Sequence, residues 1–130
     1  MLDYKHCLSV KQPFASLIVL GKKSIECRVW KTNFRGKIFI HSSKGESKEK
    51  LFNVNKNLLN KKIFSLKGFI LGSVEIIDCK KIHKESSKQA KFKINKKYWG
   101  WILKNHKRIK PIPYKGKLGI FKVKIKKLDK

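Results

Sequence analysis

Acidic side chains are scarce in this sequence: eight Asp and Glu stand against 34 Lys and Arg in 130 residues, a formal net charge of +26. Such a field draws polyanions non-specifically, with an affinity that falls steeply as salt rises. Arginine is scarce too, since 31 of the basic residues are lysine and only Arg28, Arg35 and Arg108 carry the planar fork that suits phosphate or carboxylate. A lysine, isoleucine and asparagine bias of this kind is also what genome base composition alone produces, and it can coat a whole surface without marking one binding face, so the three arginines are the more informative cations. Cysteine is limited to Cys7, Cys27 and Cys79. An odd number, wide spacing, no CxxC and no histidine at zinc spacing exclude a disulfide framework and a zinc site, and the expectation is reduced, half-buried thiols and no cofactor or metal. The N-terminus resembles no signal peptide and no apolar run reaches the length of a membrane span, so an intracellular, soluble protein, nuclear or cytoplasmic and monomeric, is expected. Repeats and linkers are also missing, which leaves one domain over residues 1–130.

What is present is enough for a core. The hydrophobic fraction is 41%, including eight Phe, three Trp and three Tyr, and disorder is therefore not expected. Cys7–Val10 reads as a short strand, and Pro13 opens a helix to Leu20, closed by Gly21. From Ser24 to Trp30 the period changes to two, with Ile25, Cys27 and Val29 directed to the core and Ser24, Glu26, Arg28 and Trp30 on a polar face. Residues 37–41 form a further strand, 42–45 a loop, and 46–59 a polar helix with Leu51, Val54, Leu58 and Leu59 inward. Gly68–Cys79 is the strongest core strand. Residues 80–97 are a lysine-rich connection with room for a short helix, Tyr98–Leu103 is strongly apolar, and 111–114 is extended. Alternation over 120–125 gives a last strand whose Lys122 and Lys124, with Lys126, make a solvated edge that resists pairing with other molecules. Short strands, a few helices and Gly/Pro punctuation predict an α+β, mainly β fold, a small β-barrel with two or three flanking helices.

Three blocks of sequence then fall together: LSVKQPFASLIVLGKKSIECRVW at 8–30, RGKIFIHSSK at 35–44 and PIPYKGKLGIFKV at 111–123. Their ordered set, Leu-Ser-x-x-Gln-Pro-aromatic-Ala, Gly-x-Lys-x-x-Glu-x-Arg, Arg-Gly and Pro-x-x-x-Lys-Gly, resembles the ASCH domain (activating signal cointegrator homology), of the cointegrator type. The resemblance runs almost end to end and implies a PUA-like barrel. It also implies nucleic-acid binding, more often of RNA or a modified nucleotide than of a DNA base code, with transcription or translation factors as further partners.

Gln12, Lys23, Glu26 and Arg28 match the motif that lines the family's cleft. Lys23 stands between helix and strand, placed to reach a phosphate or activate a nucleophile; the plainer reading is one more solvated lysine. Glu26 and Arg28 share a strand face about 7 Å apart, which makes a surface ion pair worth at most about 1 kcal/mol. Alternatively, Glu26 orients a neighbouring cation or accepts from a base amino group. Trp30 is placed to stack a base, whereas Trp99 and Trp101 read as core or cleft wall. Arg35 is placed to clamp phosphate or to hold its own turn. Ser42, Ser43 and Lys44 supply donors for phosphate or sugar, His41 is a weak catalytic signal, and Pro113, Lys115 and Gly116 shape the opposite rim.

Two functions remain open. One is a binding module for RNA or DNA that selects an unpaired or modified nucleotide in transcription coactivation or RNA metabolism. The other, implied by small bacterial members of the family, is a hydrolase of RNA or of acylated nucleosides, with Lys23 and Glu26 catalytic. For that role Lys23 needs a pKa lowered by burial or cationic neighbours. The family's hydroxyl residue three positions after the lysine is Glu26 here, a departure from the amidohydrolase pattern.

Overall fold

The computed structural model describes residues 4–129. Six strands form one mixed sheet: β1 (Lys5–Gln12), β2 (Ile25–Arg28), β3 (Gly36–Glu46), β4 (Phe69–Ile82), β5 (Tyr98–Pro113) and β6 (Ile120–Val123), in the order β2-β5-β4-β3-β1-β6. All neighbours are antiparallel except β1 and β3. The helix α1 (Phe14–Val19) follows β1 across a cis Gln12–Pro13 peptide, with Pro13 at the cap, and Gly21 takes the left-handed φ of +77° that ends it.

Every residue of α1 is buried. It packs on β1, β3, β4 and β5, and full burial of side chains such as Leu17, Ile18 and Val19 contributes on the order of 1.5–3 kcal/mol each. With Leu8, Val10, Ile38, Ile40 and Trp101 these residues form the main core, and Cys7, Phe39, Ile70, Phe121 and Val123 form a smaller one. Alternation along β1 and β3 explains the division, because Leu8, Val10, Ile38 and Ile40 point to one face while Cys7 and Phe39 point to the other.

The sheet is not closed into the expected barrel. β6 pairs with β1 only over Lys5–Leu8, so from Ser9 onward that edge of β1 has no β6 partner. β2, at the other end of the strand order, curls round to face it. The two meet through a side chain: the Arg28 guanidinium donates to the Ser9 carbonyl oxygen at 2.9 Å. A seam remains where a barrel would have its last ladder.

Several local readings need correction. The polar helix over 46–59 is replaced by β3, which runs through Glu46 because Gln12 pairs with Glu46, and then by 3-10 turns at Lys56–Asn60 and Lys62–Ser65. Asn53 has a left-handed φ of 57° and the Asn55 side chain accepts from the Asn57 amide, local choices that break an α-helix before it forms. Leu51, Val54, Leu58 and Leu59 do pack against the core. The loop expected at 42–45 is strand, and the apolar segment at 98 and the extended one at 111 belong to a single β5. Within 80–97, β4 continues to Ile82 and a four-residue helix α2 (Ser87–Ala90) follows a 3-10 turn. Cys7 is fully buried rather than half-buried.

Candidate nucleic-acid interface

The seam holds a cavity of about 400 Å³ lined by β1 (Ser9–Lys11), Phe14, Lys23, β2 (Glu26–Arg28), and also by Glu49, Phe92 and Tyr98. Lys23, for which the plainer reading is one more solvated lysine, and Glu26, expected on the polar face of its strand, are 2% and 7% exposed. The curl of the sheet covers the polar face of β2 while Ile25 and Cys27 keep to the core as expected, and Val29, just past the end of the strand, is 65% exposed rather than directed inward.

Glu26 lies between two cations. Its Oε2 accepts from Arg28 Nε at 2.9 Å, and its Oε1 is 3.7 Å from Lys23 Nζ. Lys23 also donates to the Ala90 carbonyl and stands 4.5 and 5.3 Å from the ring centres of Phe14 and Phe92. Burial lowers its pKa, while Glu26 and then Cys27 raise it and Arg28 adds to the lowering. Arg28 in turn lies 5.6 and 5.7 Å from the rings of Trp30 and Trp101. Glu26 is therefore the keystone of a buried triad that ends on the free edge of β1. Burial pushes the neighbouring Cys27 thiol up to about 12, so it faces the cavity as a neutral group.

A second, wider cavity of about 1030 Å³ adjoins the first. Lys44, Lys67, Lys115 and Lys117 line it, with His41 and Ser9 beneath, and no carboxylate is among its lining residues. Ser9, Ser43 and Leu118 line both cavities. The Ser43 hydroxyl oxygen is buried and has no hydrogen-bond partner among the described residues. His41 Nε2 lies 2.7 Å from the Tyr114 carbonyl, which can only accept, so that nitrogen carries the proton and Nδ1 accepts from the Ser9 hydroxyl at 3.1 Å. Burial lowers the His41 pKa, only partly opposed by the bond to Tyr114, and keeps this neutral tautomer. Gly116 sits against the pair: a Cβ there would lie 2.7 Å from Ser9 Oγ and collide with the His41 ring. Its glycine thus serves close approach, since no left-handed φ is recorded at this position.

Not every expected residue reaches these cavities. Gln12 is buried under the 3-10 segment, donating to the Ile63 and Leu66 carbonyls and accepting from the Ser16 amide. Ser42 is fully buried and its hydroxyl bonds the Phe69 carbonyl. These two side chains hold the scaffold rather than face a ligand. Arg35 donates to the Thr32 and Phe34 carbonyls at the start of β3, the end opposite Ser43, and therefore holds its turn. Trp30 is 47% exposed and lies outside the cavity across Arg28, edge-on to the buried Trp101, whose Nε1 donates to the Trp30 carbonyl. Lys23, Glu26, Arg28 and Ser43 do converge on the inner cavity, and Ser43, Lys44, Lys115 and Gly116 on the outer one. Sequence reasoning passed over Ser9, Phe92, Tyr98, Lys117 and Leu118. Ser9 carried a signal, as the serine of the Leu-Ser-x-x-Gln-Pro motif.

Comparison with known proteins agrees with this architecture. The family model of the ASCH domain matches residues 8–113. Activating signal cointegrator 1 of Homo sapiens is 38% identical over 81 residues, 56% of this chain and 14% of that protein, and its Mus musculus counterpart is 37% identical over the same shares. The chain thus corresponds to a small part of these relatives. Among solved structures, ASCH from Zymomonas mobilis superposes with a TM-score of 0.61 at 14% identity, covering 96% of this chain and 91% of that one. A serine-to-alanine mutant of the same Zymomonas mobilis protein gives 0.60 at 13% identity, covering 92% and 87%. At such identities the likeness is one of fold.

Proposed function

Taking as premise that the chain belongs to the ASCH domain family, we propose that it is a single-domain nucleic-acid-binding module that takes an unpaired nucleotide of RNA or DNA at the seam. The base enters the inner cavity, between Phe92, Tyr98 and the Glu26–Arg28 pair, and the backbone follows the outer one. The observation that carries this reading is the contrast in lining: the inner cavity holds Glu26 bound between two cations, whereas no carboxylate lines the outer one and, of its lysines, Lys67 alone has an ion pair among the described residues, with Glu46. Phosphate is attracted where cations are unopposed, and a base edge is read where donors and acceptors are fixed. The relatives' name, activating signal cointegrator, supports a role in transcription coactivation with protein partners of that assembly; a role in RNA metabolism, a nuclear or cytoplasmic setting and a monomeric state belong to the same proposal. Fluorescence anisotropy with short single-stranded and duplex RNA and DNA tests the reading. Single strands bind more tightly than duplexes, and Lys115→Ala with Lys117→Ala weakens binding more than Lys80→Ala with Lys84→Ala at the far end of β4. Equal losses would leave only diffuse charge.

One observation favours hydrolysis as a second reading: burial lowers the pKa of Lys23, as a general base requires. Turnover of N4-acetylcytidine or single-stranded RNA above a Lys23→Ala control is its test.

A further inference from the structure

Leu118 is 99% exposed. Single exposed leucines are ordinary surface features, but this one is set apart by its position and by the way its loop is held. It lines both cavities, as does Ser43 with its buried hydroxyl. Its loop is pinned on the N-terminal side: the Tyr114 amide donates to the Gly68 carbonyl, the Tyr114 carbonyl accepts from His41, and Gly116 is seated on His41 and Ser9. On the other side Gly119 turns the chain with a φ of 67° into β6. Lys115 and Lys117 flank the leucine on the outer cavity. The loop also lies beyond residue 113, where the match to the family model ends.

We propose that Leu118 is a wedge that inserts between two successive bases of a bound single strand. One base is thereby directed into the inner cavity, while its neighbour and the phosphates stay over Lys115 and Lys117. Apolar side chains that part a base step separate the two bases without competing for their hydrogen-bonding edges, and a leucine on an anchored loop loses little freedom in doing so. Charge complementarity selects the occupant, since a protein segment seated on this lysine rim would have to be strongly acidic. The inference rests on the nucleic-acid reading above and fails separately from it.

The test uses the full chain and a short single-stranded RNA carrying two adjacent 2-aminopurines, whose exciton circular dichroism reports their mutual stacking. Saturation with the native protein removes the couplet. Leu118→Ala binds about tenfold more weakly by anisotropy, on the order of what parting one base step involves, and at saturation leaves the couplet in place. Leu118→Met restores its loss, and the melting temperatures of all three proteins agree because the side chain is exposed. A couplet that survives saturation by the native protein overturns the wedge, as does one that Leu118→Ala removes equally well. Absence of binding by the native protein overturns the nucleic-acid reading itself, and the wedge with it.

Discussion

The inner and outer cavities share Ser9, Ser43 and Leu118 but handle charge in opposite ways. In the inner one, Lys23, Glu26 and Arg28 satisfy one another and the backbone, with Lys23 almost wholly withdrawn from water, and only Lys11 and Glu49 among its charged lining residues are exposed. In the outer one, Lys67 pairs with Glu46, and no ion pair is found for Lys44, Lys115 or Lys117 among the described residues. Buried ions demand partners and so fix geometry; solvated ions keep their mobility and lend their field to a ligand. Net charge is thus a poor guide to which lysines bind.

Substitutions can break this contrast. The largest effect is expected at the keystone. Glu26→Ala leaves the Lys23 ammonium buried without its carboxylate and lowers stability by about 3–5 kcal/mol, read by denaturant unfolding. Lys23→Met keeps the volume apolar and leaves Glu26 bound to Arg28, so its loss is smaller; an equal or larger one would contradict the keystone role. Gln12→Ala removes three hydrogen bonds, two of them buried and one part-buried, and lowers stability by about 1–3 kcal/mol, while the affinity of the folded fraction for single strands is unchanged.

How much of this was legible in the sequence depends on how far each feature reaches. The strands around Cys7–Val10, 37–41 and 120–123, and the helix before Gly21, announce themselves by period and punctuation within a few residues. The ASCH resemblance, carried by ordered motifs, located Lys23, Glu26 and Arg28. Period two also grouped Glu26 with Arg28, but it made their face solvated. Which way that face turns depends on the curl of β2 towards β1, a contact between chain segments 19 residues apart. The stretch 46–59 misled because a few inward leucines suit a 3-10 turn as well as an α-helix. Leu118 gave no signal, since a leucine between lysines and glycine looks like the start of a strand.

A smaller effect follows pH. The His41 pKa is lowered below its ordinary value of 6.5, so the folded protein binds fewer protons than the unfolded chain between the two values. The sign follows: the neutral ring's contribution is complete above about pH 6.5 and is lost as pH falls through the folded value. Thermal unfolding across that range should show declining stability, with a shallower slope in His41→Gln. A slope unaltered by the substitution would assign the effect elsewhere.

At the lower end, Lys115→Ala with Lys117→Ala alters stability by no more than about 0.5 kcal/mol. The measurement that addresses the contrast most directly is the salt dependence of single-strand binding in that double variant beside Glu26→Gln. Each lost phosphate contact reduces the slope of log affinity against log salt by about 0.7. The lysine variant therefore loses about 1.4 from its slope, whereas Glu26→Gln keeps the native slope and changes only the preference among bases. A native slope in the lysine variant, or a reduced one in Glu26→Gln, would contradict the division between the two cavities.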